Sequence, residues 1–215
     1  MKQILISIKP EWVAKILNGE KTIEIRKTKP NEDNLPCEVF IYCSKDKGSL
    51  YEVIKNGEET GYGINDSGKS IFVKVPSYKL GWGLFQDKNG KTRDILNELC
   101  GKVVAKFTLN RIERFGTRNI WREEIEGQYE ITGSNISADE IESKSCLNWK
   151  ELDKYSKQGH KNLYAWYIDD LQIFDKPFYL SQQKIGNPET DIAITKAPQS
   201  WYYCEYDEEN RFLPF

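Results

Sequence analysis

The sequence has a single histidine, His160, and that scarcity excludes much familiar chemistry. A His-rich metal centre or a Ser-His-Asp triad needs an imidazole in a set place. His160 lies in the polar run "KQGHKN", surroundings typical of a solvated loop. Closely spaced cysteines are missing too. Cys37, Cys43, Cys100, Cys146 and Cys204 are scattered and odd in number, without the close pairs that tetrahedral zinc or a redox dithiol requires. They read as buried thiols in a reducing compartment, and neither a metal nor a cofactor is expected. Long apolar runs are absent: "CEVFIYC" and "GKVVAKF" are far too short to span a bilayer, and the N-terminus lacks the pattern of a signal peptide. That reading places the chain in the cytoplasm, with no membrane partner. An excess of one charge is lacking as well. Lys and Arg number 31 against 33 Asp and Glu, a net charge of -2, so no global field draws in polyanions. Any nucleic-acid contact must rest on a local patch.

What is present is 215 residues, enough for one large domain or for a small one carrying insertions. "QILISI" at 3 to 8 alternates as a strand does, and Pro10 follows in the first-turn position that helices tolerate. Val13, Ile16 and Leu17 then fall at helical spacing, and Gly19 supplies the stop after Asn18. In the next strand Ile23 and Ile25 point one way and Thr22, Glu24 and Arg26 the other, with Lys21 at the bend. Further strands are expected at 37 to 43, 101 to 115 and 163 to 177. In the last of these the apolar parity changes around Asp169 and Asp170, which predicts a bulge.

Two stretches differ in character. Residues 44 to 100 are rich in Gly, Lys, Asp and Asn, with aromatic islands at Tyr78, Trp82 and Phe85 and a hairpin expected around "DKNGKT". Residues 116 to 162 carry two short helices. "SADEIESK" opens on Ser137 with Glu140 three residues later, and "NWKELDKYSKQ" follows. The expected core of a single domain over 1 to 215 is therefore 1 to 43, 101 to 115 and 163 to 205. Short strands with few helices favour an α+β class, mainly β, built on a curled or closed sheet.

One motif misleads. "GINDSGKS" at 63 to 70 fits G-x-x-x-x-G-K-S/T, whose meaning is a phosphate-binding loop with Lys69 and Ser70 on the terminal phosphate and magnesium. That loop needs a buried strand before it and a helix after it. Here "KNGEETGY" precedes and "IFVKVPSY" follows, so both flanks fail.

The stretch "GEKTIEIR" at 19 to 26 is more informative. Glu24 and Arg26 are neighbours on one strand face, with Lys21 beside them. On an open surface they would form an ordinary ion-pair cluster. Gly19, Lys21, Glu24 and Arg26, after the helix "PEWVAKILNG", resemble the G-x-K-x-x-E-x-R signature of the ASCH domain, a branch of the PUA-like superfamily. "YAWYIDDLQIFDKP" and "KAPQSWYYCEY" are similar to the closing strand and tail of ASCH proteins of phages and prophages. The resemblance implies a PUA-like pseudo-barrel with a short N-terminal helix and two insertions, and a cleft that binds RNA or nucleotides. Lys21 and Arg26 would hold phosphate, and Glu24 would orient Arg26 or accept from a base amino group. Lys9, Trp12 and Trp201 are further ligand-binding candidates, the tryptophans by stacking. For Trp166 core packing is favoured.

Such a recess would take an unpaired or flipped nucleotide rather than a duplex, with weak salt dependence. Two alternatives stand beside this binding module. In one ASCH branch, a hydrolase of acylated cytidine, the position of Glu24 is a threonine nucleophile, absent here. Lys21 and Glu24 could instead be the catalytic groups of a metal-independent amidohydrolase or ribonuclease, with the carboxylate activating water. The other alternative is a protein-interaction adaptor built around "YKLGWGLF". A loop-rich 44 to 100 could also form a lid.

Overall fold

A computed structural model describes residues 1–45, 50–54, 71–75, 84–86, 92–94, 99–122, 125–209 and 212. In chain order the elements begin with β1 (Lys2–Ile8), α1 (Pro10–Leu17), β2 (Ile23–Arg26) and β3 (Cys37–Cys43). Four short strands follow, β4 (Leu50–Ile54), β5 (Ile71–Val75), β6 (Leu84–Gln86) and β7 (Thr92–Asp94). Then come β8 (Lys102–Leu109), β9 (Ile112–Arg122), β10 (Ile125–Thr132), α2 (Ala138–Ser145) and α3 (Trp149–Ser156). The chain closes with β11 (Leu163–Tyr167), β12 (Asp169–Tyr179), β13 (Ile185–Gly186) and β14 (Trp201–Tyr206). The class is mixed α+β and mainly strand, as the sequence predicts.

The chain divides into two compact units. One comprises Glu20–Cys37 and Phe107–Asp170, and contains a four-stranded sheet in the order β10-β9-β11-β2. Its pairings are all antiparallel. Ile23, Ile25, Phe115, Ile136, Ile141, Leu152, Leu163 and Ala165 make its core. The other comprises Lys2–Gly19, Glu38–Lys106 and Leu171–Phe215, with a six-stranded sheet in the order β12-β8-β3-β1-β14-β13. Leu5, Phe40, Val103, Phe178, Ile185 and Cys204 are buried in its core.

Local chemistry explains the elements. Pro10 opens α1, and after Asn18 the chain turns at Gly19, whose φ of +78° is the left-handed stop expected there. Ser137 caps α2 by accepting from the Glu140 amide, and Asn148 and Glu151 form a reciprocal capping box on α3. The "DKNGKT" hairpin is bracketed by antiparallel β6 and β7, though residues 87–91 lie outside the described ones. Cys37, Cys43, Cys100 and Cys204 are buried thiols outside any disulfide, and Cys146 is half-buried.

Two expectations are corrected. Residues 101 to 115 are two strands broken at Asn110 and Arg111, with β8 in the six-stranded sheet and β9 in the four-stranded one. Residues 163 to 177 likewise break at Ile168 rather than bulging within one strand. Asp170 there takes a φ of +48° as the chain leaves one sheet for the other. Polar side chains occupy the first break and directly follow the second, and Asn110 Nδ2 donates to Asp169 Oδ2 at 3.1 Å. The phosphate-loop decoy lies outside the described residues, as does Trp82. Immediately after the decoy comes β5, paired with β4, where a phosphate loop demands a helix.

Glycine geometry yields a test. Gly159 has a φ of +77°, and an added Cβ would sit 2.3 Å from the Thr117 carbonyl oxygen. Gly19 has the same backbone sign but open space around it. Gly159→Ala should destabilise the protein by about 1 to 3 kcal/mol through strain and more through the clash, whereas Gly19→Ala should cost only about 1 to 2 kcal/mol. Urea midpoints of the two variants compare them directly.

Candidate anion site on the signature strand

β2 is the edge strand of the four-stranded sheet, and its register decides which side chains share a face. Ile23 lies opposite Tyr167 and Ile25 opposite Ala165, so this face carries the core. Glu24 lies opposite Trp166 and Arg26 opposite Tyr164 on the other face. Tyr164 is also opposite Arg114 of β9. One row across three strands therefore reads Arg26, Tyr164, Arg114, and the next reads Glu24, Trp166, Ile112.

Burial falls along that face. Trp166 is completely buried, Glu24 and Arg26 are 6% and 7% exposed, Tyr164 is half-buried and Arg114 is exposed. Lys29 Nζ lies 5.9 Å from the centre of the Tyr164 ring. At the buried end the three signature ions meet. Glu24 Oε1 is 3.0 Å from an Arg26 terminal nitrogen, and Glu24 Oε2 is 3.4 Å from Lys21 Nζ. Two cations share one carboxylate, which leaves the triad one positive charge in excess.

Lys21 has a second engagement. Its ammonium donates to the Ser145 carbonyl at 2.6 Å, and Ser145 is the last residue of α2. A helix C-terminus presents orphan carbonyls and the negative end of the macrodipole, so a cation is favoured there. The Thr22 amide donates to the Lys144 carbonyl at 2.9 Å, and the Cys146 thiol reaches the Glu20 carbonyl at 3.5 Å. Residues 20 to 22 are thus tied to the end of α2 through both backbone and side chain. Burial holds the Lys21 pKa below the ordinary lysine value, against the opposing pull of Glu24.

The structure brings Lys21, Glu24 and Arg26 together on one face of one unit. Lys9, Trp12 and Trp201 belong to the other unit. There Lys9 is exposed at the start of α1, and Trp12 is half-buried with Lys15 Nζ 5.6 Å from its ring centre. Trp201 packs edge-on to Tyr203 at 5.6 Å. Sequence reasoning missed Tyr164 and Arg114. Their row depends on the pairing of β11 with both β2 and β9, and no local pattern announces that register. Among the described residues no cluster of His, Cys, Asp or Glu is placed to hold a metal ion. No described helix is long and apolar enough to cross a membrane.

The fold is that of an ASCH protein. The chain is similar to the crystal structure of ASCH from Zymomonas mobilis, with a TM-score of 0.50 and 16% identity over 97% of this chain and 90% of that one. A serine-to-alanine mutant of the Zymomonas mobilis protein aligns at 15% identity and a TM-score of 0.46, covering 98% of this chain and 91% of that one. A tyrosine-to-phenylalanine mutant gives 15% and 0.48, covering 98% and 94%. Neither a protein-family model nor a curated protein sequence matches the chain.

Charge balance ranks the effects of substitution. Glu24→Gln leaves two buried cations uncompensated and should cost about 3 to 5 kcal/mol. Lys21→Met leaves a neutral Glu24–Arg26 pair and removes one hydrogen bond to a buried carbonyl, a loss of about 1 to 3 kcal/mol. Denaturant unfolding should give that order. The Lys21 proton carries a pH signature too. Its folded pKa lies below the reference value of 10.5, so the unfolded chain binds more protons between the two values. Over that window, from the folded value up to 10.5, this group's contribution to stability should rise with pH in wild type and be flat in Lys21→Met.

Proposed function

We propose that the face carrying the signature binds an unpaired nucleotide, either within single-stranded RNA or as a modified or flipped nucleotide, in a module of the ASCH type found in phages and prophages. The observation that carries this reading is the row Arg26, Tyr164, Arg114 beside a triad with an excess positive charge. A tyrosine in register between two arginines offers a stacking surface for a base and cations for its phosphates. The gradient from buried Trp166 to exposed Arg114 suits a ligand that enters from one side. Lys21 acts mainly as a positioning residue, because its ammonium is engaged by Ser145 and Glu24. Arg26 and Arg114 are the phosphate contacts, and Glu24 orients Arg26.

Positions outside the buried triad give the cleanest test, since they leave it intact. Calorimetry of single-stranded RNA, single-stranded DNA, duplex RNA and modified nucleosides should show saturable binding for unpaired ligands and none for duplex. Tyr164→Leu should weaken binding by about 1 to 3 kcal/mol, roughly 5- to 150-fold, and Arg114→Gln should weaken it too. Failure of every ligand to bind, or indifference to both substitutions, overturns the proposal. Product analysis on the same samples separates binding from hydrolysis. Ligand consumed by wild type and spared by a folded Glu24→Gln variant would replace the binding module with the hydrolase.

A further inference from the structure

α3 has two unlike sides. Leu152 and Ser156 are buried, and Trp149 and Tyr155 pack against the core of their unit. Lys150, Lys154 and Lys157, spaced i, i+4 and i+7, stand exposed on the opposite side. With Asp153, Gln158 and His160 they line a cavity of about 490 Å³. Three lysines against one aspartate give this cavity an excess of two positive charges with the imidazole neutral.

The backbone that completes the cavity is unusual. Lys157, Gln158 and Gly159 take φ values of +58°, +57° and +77° in succession. Glycine does this freely, but lysine and glutamine do so at about 1 to 2 kcal/mol each. The turn is nevertheless fully tied down. Gln158 N donates to the Asp153 carbonyl at 2.8 Å and Lys161 N to the Ser156 carbonyl at 2.9 Å. Gly159 N donates to Ser156 Oγ at 2.9 Å, and that hydroxyl is 2.7 Å from Thr117 Oγ1 on β9. The coil folds the chain back, so that Lys157, Gln158 and His160 stay beside Lys150 and Lys154. The left-handed residues that end α3 thus hold these side chains in a fixed arrangement beside the helix.

We propose that this lysine-lined cavity and turn dock the sugar-phosphate backbone of a single-stranded nucleic acid, next to the nucleotide held on the signature face. The ligand class rests on the nucleotide-binding reading above. Three features support it. The lysines recur one helical turn apart, so they can neutralise successive phosphates along an extended strand. Asp153 can only accept hydrogen bonds and repels carboxylates, so the partner must carry donors among its anions, as ribose hydroxyls and base amino groups do and acidic side chains do not. The same helix adjoins the signature strand: Lys27 Nζ, one residue beyond Arg26, lies 4.3 Å from the centre of the Tyr155 ring. A strand with one nucleotide on the signature face therefore has α3 in reach. The near-neutral chain predicts weak salt dependence, and this local patch adds a salt-sensitive component to it.

The test compares wild type with the triple variant Lys150→Gln, Lys154→Gln, Lys157→Gln, whose changes are all on exposed side chains. Each binds a single-stranded RNA of about 12 nucleotides and a mononucleotide across about 50 to 200 mM salt. In the triple variant the slope of log affinity against log salt for RNA should fall by about 2, three contacts at about 0.7 each. Mononucleotide affinity should be unchanged. An unaltered RNA slope overturns the proposal. So does polyglutamate binding wild type as tightly as RNA with the same lysine dependence, since the surface would then be a general anion patch or a site for acidic protein. Absence of mononucleotide binding with a retained lysine-dependent RNA slope overturns the signature-face reading and supports this one.

Discussion

Two cations and one carboxylate come from six consecutive positions and are each less than a tenth exposed. Ions so placed lose their hydration, and they tolerate this only when paired with one another and with strong dipoles. The Lys21 contact with the end of α2 answers that need from one side, and Glu24 from the other. The rest of this unit is arranged to make both available. The pairing of β2 with β11 sets the direction of Glu24 and Arg26, and the Ser137 cap fixes where α2 begins. Residues 116 to 162 supply β10, α2 and α3 to the unit that holds the signature, so they are part of its scaffold.

The same economy runs through α3. Its inward side chains close the core and bring Tyr155 beside Lys27, while its outward lysines face a cavity. Gly159 makes this possible, because only a residue without a Cβ can approach the Thr117 carbonyl so closely. A structural requirement and a recognition surface share one turn there.

Much of the architecture was legible from local rules. The strand, helix and strand of the first 26 residues, the cap at Ser137, the short helix in "NWKELDKYSKQ" and the burial of most cysteines all follow from short-range chemistry. The breaks at Asn110 and Ile168 were not legible as such. A chain that leaves one sheet for another stays extended, so its sequence still reads as one long strand. The signature ions were legible as a cluster through their spacing and their resemblance to ASCH proteins. Their burial and the helix end that Lys21 reaches were not.

The sequence by itself determined the secondary structure around the signature, because alternation, capping and turn chemistry act over a few residues. It also determined which face of β2 would carry charge. Tertiary structure alone decided that Tyr164 and Arg114 stand in line with Arg26, and that a lysine 124 positions away in sequence would close α2 at Ser145. Strand register and helix docking are settled by the packing of a whole core, and that packing joins residues whose neighbours in the chain give no sign of one another.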